Sequence, residues 1–356
     1  MYNAYDFHAG EFGMWVWIGV GAAAAVALFL AAMAGLSAFV FHKFFGRRYD
    51  GNPHVRYFTA EDFEGLEAQP VSFLSDGGQR LHGYIYSSRL AEKDCGVAVF
   101  SHGFGAGHRA YTTEIDALAR AGFSVLAYDG TGCVESEGKC LRGFDQGPAD
   151  LLSALRFAAC NERLRGRPTV LFGHSWGAFS VLTALPRAEG VKGAAALCGF
   201  VSSAGVVSQT VFGRVWPCRA PFFAFFRFWE FLRFGRRAGR NAKRALQKVH
   251  CPVFLCYGAR DAVVPFFGNG KKMLRAFTGQ ANVRTLLCEN KGHNVYLTED
   301  AERYMNETFA SIGAQVKKAP SRAAELYGAV DYRRMTAEDG AVMGAALSFL
   351  QNSAAL

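Results

Sequence analysis

Apolar residues dominate one long run near the start of the chain and then recur in short, evenly spaced runs. Residues 14–41 carry no charge and exceed the roughly 20 residues that span a bilayer, so they predict a transmembrane helix. A signal peptide and a buried core helix are the alternatives. Against the first, Asp6 and Glu11 stand where a signal peptide carries Lys or Arg. Against the second, core helices are usually shorter and carry a polar stripe.

Charges on either side of this run predict its orientation. Lys43, Arg47 and Arg48 follow the run, whereas acidic residues precede it. Because basic residues favour the inner side of a membrane, residues 43 onward are expected in the cytoplasm. The predicted location is a single-pass anchor in the cell membrane, over residues 1–45, followed by a tether over 46–70.

From residue 71 onward, apolar strand-like runs alternate with helical stretches, which is typical of an α/β fold with a mainly parallel sheet. The predicted strands cover 71–75, 81–86, 96–103, 123–130, 169–175, 191–200, 252–261 and 283–290. The first two strands flank an Asp-Gly turn and predict an antiparallel hairpin. Helices are predicted at 110–121, 146–163, 176–187, 266–278 and 295–312. The predicted domain covers 71–356, with an inserted cap at about 201–249 and a helical tail at about 313–356.

Nine cysteines form an odd set without a C-x-x-C pair or a metal-ligand spacing. This pattern predicts neither a disulfide framework nor a structural zinc site. Four of them fall in apolar runs and are expected to be small buried hydrophobic residues: Cys95, Cys198, Cys256 and Cys288. No metal or organic cofactor is implied.

The motif Gly173-His174-Ser175-Trp176-Gly177 follows an apolar strand and opens a small-residue helix. This is the strand, sharp turn and helix of a nucleophile elbow, in which flanking glycines leave room for the turn. Ser175 is therefore the predicted nucleophile.

Acyl transfer also needs hydrogen-bond donors for the developing oxyanion. The backbone N–H of Trp176 is one predicted donor, and Phe104 in Ser101-His102-Gly103-Phe104-Gly105 is the other. The alternative for this second segment is a Gly-rich turn without a catalytic role. His102 is interpreted as a residue that orients the loop.

Asp261 and His293 are the predicted acid and base that act with Ser175. They follow the serine in the chain order nucleophile, carboxylate, histidine that a nucleophile-elbow site requires. Asp261 directly follows a predicted strand, where its carboxylate can accept from an imidazole Nδ1–H. His293 follows the last predicted strand, where it can take the proton of Ser175. The other histidines are interpreted as structural or solvated.

Six segments in order over residues 70–312 resemble the α/β-hydrolase superfamily: DGGQRLHGYIY, SHGFG, YDGTGCVESEG, GHSWG, GARDAVVP and KGHN. The resemblance is to serine hydrolases of the membrane-anchored bacterial type, related to prolyl-oligopeptidase-like and esterase-like enzymes. It implies the α/β-hydrolase fold, with Ser175 as nucleophile, Asp261 as acid and His293 as base. It also implies a structural role for Asp129.

The predicted cap carries the whole net charge of the protein. Residues 200–250 contain ten basic residues and one acid, Glu230, which matches the formal charge of +9 for the chain. Three interpretations remain open: an aromatic face that lines the acyl pocket, an in-plane helix on the inner leaflet, and ordinary packing on the body. Nucleic acid is not an expected partner, because no recognition module accompanies the charge.

These features predict a serine hydrolase that cleaves an ester or related acyl bond of a small or lipid-like substrate. Peptide or thioester cleavage would use the same groups. A non-catalytic membrane-bound scaffold is the alternative from another class. The sequence does not indicate an oligomeric state.

Overall fold

The computed structural model describes residues 4–105 and 107–356, with side chains from residue 13 onward. The side chains of Asp6 and Glu11, on which the predicted orientation partly depends, lie outside this set. The first helix, α1, covers Ala4–Phe45, and its part Gly13–Phe45 is long and apolar enough to cross a membrane. Its side chains from 14 to 32 are exposed, which argues against a core helix. A membrane anchor and a signal sequence remain as interpretations.

Eight strands form one sheet: β1 (Leu66–Leu74), β2 (Arg80–Ser88), β3 (Gly96–Ser101), β4 (Phe123–Tyr128), β5 (Thr169–His174), β6 (Val191–Leu197), β7 (Val253–Gly258) and β8 (Val283–Cys288). Their spatial order is β1-β2-β4-β3-β5-β6-β7-β8. β2 pairs antiparallel with both β1 and β4, and the remaining pairings are parallel. Each strand overlaps a predicted one, so the predicted fold class and the hairpin are confirmed.

Helices connect the strands and cover the sheet: α2 (Thr112–Arg120), α3 (Gln146–Cys160), α4 (Trp176–Ala184), α5 (Ser203–Phe212), α6 (Trp216–Phe234), α7 (Ala242–Leu246), α8 (Gly270–Phe277), α9 (Glu299–Lys318), α10 (Ala323–Gly328), α11 (Tyr332–Met335) and α12 (Gly340–Ala354). The insertion between β6 and β7 contains α5, α6 and α7. The tail contains the end of α9 and the three helices that follow it.

Helices lie on both faces of the sheet, which is why its central strands are mainly apolar. Leu171 of β5 packs in the layer of α3 and α4, whereas Val170 and Phe172 pack in the layer of α2 and α12. The ring of Phe349 in α12 lies 5.7 Å from that of Phe254 in β7. The parallel strands all end at one edge, where the loops that follow them can meet.

The segment expected as a tether over 46–70 is folded onto the body. Arg48 donates to three carbonyl oxygens in the loop after β4. Tyr49 forms an isolated parallel bridge with Cys133 in the same loop. β1 begins within this segment, at Leu66. The end of α1 is therefore held in a defined position relative to the sheet.

Candidate active site

Ser175 lies on a strained turn between β5 and α4. Its backbone adopts φ 57° and ψ −116°, a conformation that residues with a Cβ rarely adopt. Its N–H donates to the Leu197 carbonyl oxygen at 2.8 Å, and its carbonyl oxygen accepts from the Phe179 N–H at 3.0 Å. Bonds to a neighbouring strand and to the following helix thus hold the turn in the form that the G-x-S-x-G motif predicts.

Two glycines permit this turn because other backbone atoms approach them closely. A Cβ on Gly173 would lie 2.8 Å from the Ala178 nitrogen. A Cβ on Gly177 would lie 2.6 Å from the carbonyl carbon of Ser101. Both distances are shorter than Cβ atoms tolerate, so any larger residue would displace β3 from α4 or distort the turn.

Asp261 and His293 form a hydrogen-bonded pair in the loops after β7 and β8. Nδ1 of His293 lies 2.8 Å from Oδ2 of Asp261. Oδ1 of Asp261 accepts the N–H groups of Val263 and Val264 at 2.9 and 2.8 Å. The side chain of His293 is 10% exposed, and that of Asp261 is 2% exposed. The carboxylate is therefore oriented by three bonds, and Nε2 of His293 is the nitrogen left to exchange a proton.

Glu302 in the first turn of α9 holds the loop of His293 through hydrogen bonds to its backbone. Its carboxylate oxygens accept the N–H groups of Gly292 and Asn294, each at 2.9 Å. These two residues flank His293 in the chain. Sequence reasoning missed Glu302, because nothing in the pattern of a helix start indicates which loop its first turn contacts.

His174 connects the loop of His293 to the loop after β3. Its Nε2–H donates to the carbonyl oxygen of His293 at 3.0 Å, and its Nδ1 accepts from the Tyr111 hydroxyl at 3.0 Å. The Tyr111 oxygen in turn accepts the N–H of Gly103 at 3.1 Å. Burial, followed by the charge of the nearby His293 ring, lowers the pKa of His174 well below its usual range. The ring is therefore neutral, and one tautomer satisfies both partners.

His102 fixes the loop after β3 against the loop after β4. Its Nδ1 lies 2.6 Å from the Gly103 carbonyl oxygen, and its Nε2 accepts the Gly130 N–H at 2.9 Å. Burial lowers the pKa of His102, which keeps this ring neutral. These contacts agree with the loop-orienting role predicted from the sequence.

The two predicted oxyanion donors belong to residues near Ser175. Trp176 opens α4 directly after the serine, and Phe104 follows Gly103, where an added Cβ would be 3.5 Å from Cβ of Ser175. Among the residues that the structure describes, neither backbone N–H donates to a protein acceptor. Within the same residues, Oγ of Ser175 makes no hydrogen bond, so its contact with His293 is not formed here. Catalytic bonds of this kind often tighten only when substrate binds.

The side chain of Phe104 belongs to an aromatic cluster to which α1 contributes. Its ring lies 4.6 Å from Tyr49 and 6.4 Å from Phe45, measured between centroids. On the other side it lies 5.6 Å from Phe144 and 6.2 Å from Trp176. The end of the apolar helix therefore packs against the loop that flanks Ser175, a contact that no sequence motif indicated.

Two cavities adjoin these loops. One of about 890 Å³ is bounded by Phe104, by Tyr296 after His293 and by Tyr332 of the tail. Ser175 does not line it. A second cavity, of about 350 Å³, is lined by His293 itself.

Three potential metal ligands also meet at this edge: the donor atoms of His174, Cys198 and His293 lie within 4.8 Å of one another. Both nitrogens of His174 are engaged in hydrogen bonds, and Nδ1 of His293 is held by Asp261. Burial raises the pKa of the Cys198 thiol, whereas a metal requires the thiolate. These residues fit a hydrogen-bonded network better than a metal site.

One protein family and several solved structures are similar to this chain. Residues 92–220 match the family described as serine aminopeptidase, S33. The esterase Pf2001 of Pyrococcus furiosus has a similar structure, with 18% sequence identity and a TM-score of 0.54, over 76% of this chain and 98% of that chain. The α/β hydrolase GrgF of Penicillium sp. sh18 matches with 17% identity and a TM-score of 0.49, over 68% and 97% of the two chains. Among curated proteins, none matches this sequence significantly.

Proposed function

We propose that this chain, a hydrolase with the α/β-hydrolase fold, cleaves carboxylic esters through an acyl-enzyme intermediate on Ser175. The Asp261–His293 pair, at the same edge of the sheet as the strained serine turn, is the observation that carries the proposal. A serine hydroxyl is a weak nucleophile until an oriented base can take its proton. Asp261 supplies that orientation, since three donors fix its carboxylate.

In the first half of the reaction, Oγ of Ser175 attacks the ester carbonyl carbon while its proton moves to Nε2 of His293. The oxyanion accepts from the N–H groups of Phe104 and Trp176, and each such donor is worth about 3 kcal/mol in the transition state. The bond to the alcohol then breaks, and His293 transfers its proton to the leaving oxygen. Asp261 stays ionised and stabilises the imidazolium.

In the second half, His293 takes a proton from water as that water attacks the acyl carbon. Collapse of this intermediate breaks the bond to Oγ, returns the proton to Ser175 and releases a carboxylic acid. The proposed substrate is a small or lipid-like ester.

We further propose that α1 anchors the enzyme in the cell membrane, with the body in the cytoplasm. The exposed side chains of α1 over 14–32, and the basic residues Lys43, Arg47 and Arg48 at its end, support this orientation. Protease protection of intact cells tests it: the body should be cleaved only after the membrane is opened. Recovery of a mature chain that begins beyond α1 would identify a signal sequence instead.

Labelling with a fluorophosphonate probe tests the catalytic role of Ser175. The wild type and Ser180→Ala should be labelled, whereas Ser175→Ala should not. Ser180 is a suitable control because it lies one turn further along α4, where its hydroxyl donates to the Trp176 carbonyl oxygen at 2.8 Å. Folded protein without a Ser175-dependent adduct would favour the scaffold alternative.

Peptide cleavage by the same residues is a second candidate, because residues 92–220 match a family described as serine aminopeptidase. A panel of nitrophenyl esters, thioesters and aminoacyl nitroanilides, compared by kcat/KM with Ser175→Ala as the blank, separates the candidates. Esters should react fastest. A higher kcat/KM for the nitroanilides than for the esters would replace the esterase proposal with a peptidase.

A further inference from the structure

The cap helix α6 exposes an apolar stripe on the side opposite its buried residues. Phe222 and Phe226 point inward and are fully buried. Three large apolar side chains are exposed within the last two turns of α6, which we call the α6 stripe: Phe228 (50%), Phe231 (56%) and Leu232 (60%). Contiguous apolar surface of this kind marks a contact with a partner or a membrane.

The second half of α6 packs directly against the end of α1. The indole N–H of Trp229 donates to Oγ of Ser37 at 3.0 Å. The ring of Phe226 lies 5.3 Å from that of Phe41, with an edge-on geometry. The position of the α6 stripe is thus tied to residues 37–45 of α1.

The length of α1 determines where its contact with α6 lies relative to the bilayer. Its apolar part has 33 residues and is about 50 Å long, whereas the hydrocarbon core is about 30 Å thick. Side chains are exposed from 14 to 32, and burial against the body begins at Met33. If residues 14–33 fill the hydrocarbon, Ser37 lies just beyond it, at the level of the lipid headgroups. Trp229 and the neighbouring part of the α6 stripe lie at the same level.

The charge next to the stripe matches an anionic leaflet. Arg233, Arg236 and Arg237 are exposed at and just beyond the end of α6. The one acid of the insertion, Glu230, is 2% exposed and is paired with Arg227 at 2.9 Å. The outward charge of this region is therefore positive, and anionic headgroups attract such clusters.

We propose that the α6 stripe lies in the interface of the leaflet in which α1 ends, with Arg233, Arg236 and Arg237 on anionic headgroups. This proposal rests on α1 crossing the bilayer and is independent of the reaction. It makes the cap a second membrane contact beside α1.

Photo-crosslinking in the full-length protein tests the proposal. The photoreactive residue p-benzoylphenylalanine replaces Phe231, or Leu90 as a matched control, in protein reconstituted in phosphatidylcholine vesicles that contain about 30% of the anionic lipid phosphatidylglycerol. Leu90 is 46% exposed and follows β2, which lies four strands away from β6, the strand that precedes the cap. Both variants should keep the thermal unfolding midpoint of the wild type.

Lipid adducts should form at position 231 and not at position 90. Adducts between two copies of the chain at position 231 would instead make the stripe a dimer interface and overturn the proposal, as would the absence of lipid adducts there. A triple change of Arg233, Arg236 and Arg237 to Gln should lower the adduct yield several-fold with phosphatidylglycerol and leave it unchanged in pure phosphatidylcholine. Equal yields for the triple variant and the parent in both vesicles would contradict the headgroup contact.

Discussion

Nε2 of His174 donates to the carbonyl oxygen of His293 across 3.0 Å, so the residue before the proposed nucleophile positions the loop of the proposed base. Replacing the ring in His174→Phe leaves that carbonyl oxygen and the Tyr111 hydroxyl without their partner. We expect kcat to fall by about 10–100-fold with little change in KM, because an active site depends on geometry within fractions of an ångström. Steady-state kinetics on an ester substrate measures the effects on kcat and KM separately.

Tyr111→Phe is the matched control for His174→Phe. It removes the hydroxyl that accepts from Gly103 but keeps the bond from His174 to His293. It should therefore lower kcat less than His174→Phe does. Equal losses of kcat, or a loss expressed only in KM, would contradict the positioning role of His174.

Gly177→Ala should prevent the turn of Ser175 from forming. Its Cβ would lie 2.6 Å from the Ser101 carbonyl carbon, which is backbone and cannot rotate away. We expect a loss of stability of at least about 2 kcal/mol and loss of fluorophosphonate labelling. Gly344→Ala is the control, because no atom lies within 4 Å of its added Cβ in α12. A stable and labelled Gly177→Ala protein would show that α4 can shift away from β3.

Phe45→Ala should lower both the stability of the fold and the activity of the site. Phe45 is 1% exposed and packs at 4.9 Å from Phe144 and 6.4 Å from Phe104. Truncating a buried Phe costs about 3–5 kcal/mol, and here it also removes support from the loop of Phe104. Thermal unfolding in detergent and kcat should both drop. Phe39→Ala, at a residue 62% exposed, should change neither.

Glu230 should make the stability of the cap depend on pH. Burial, followed by the charge of Asp145, raises the pKa of Glu230 to about 7 from 4.5, although the Arg227 guanidinium opposes the shift. The folded state then binds the proton more tightly than the unfolded state, so this contribution is complete below about pH 4.5 and is lost as the pH rises through 7. Between pH 5 and 8 the unfolding midpoint should fall on the order of 2–5 °C more in the wild type than in Glu230→Gln.

Thermal unfolding of both proteins at several pH values checks this expectation. Glu325→Gln is the control, because Arg322 keeps the pKa of that exposed carboxyl below its usual value and it does not titrate in the window. Its curve should parallel the wild type. If the curve of Glu230→Gln also runs parallel to the wild type, Glu230 does not titrate between pH 5 and 8.

Local patterns were sufficient to predict the fold. Parallel strands buried on both faces must be apolar, so β5 and β7 stand out as short runs in the sequence. The candidate residues Ser175, Asp261 and His293 were also predicted, because each lies in the segment that follows a strand and the ends of parallel strands share one edge. The hydrogen bond between Asp261 and His293 agrees with that placement.

Contacts between distant segments were decided only by the tertiary structure. Tyr111, His174 and Glu302 position the site through hydrogen bonds to loops that are far away in the chain, and no periodicity encodes such partners. The same holds for α1, whose sequence predicts an apolar helix but not that Phe45 packs near Phe104. Apolar periodicity specifies which side of a segment is buried, whereas its neighbour depends on how the whole chain packs.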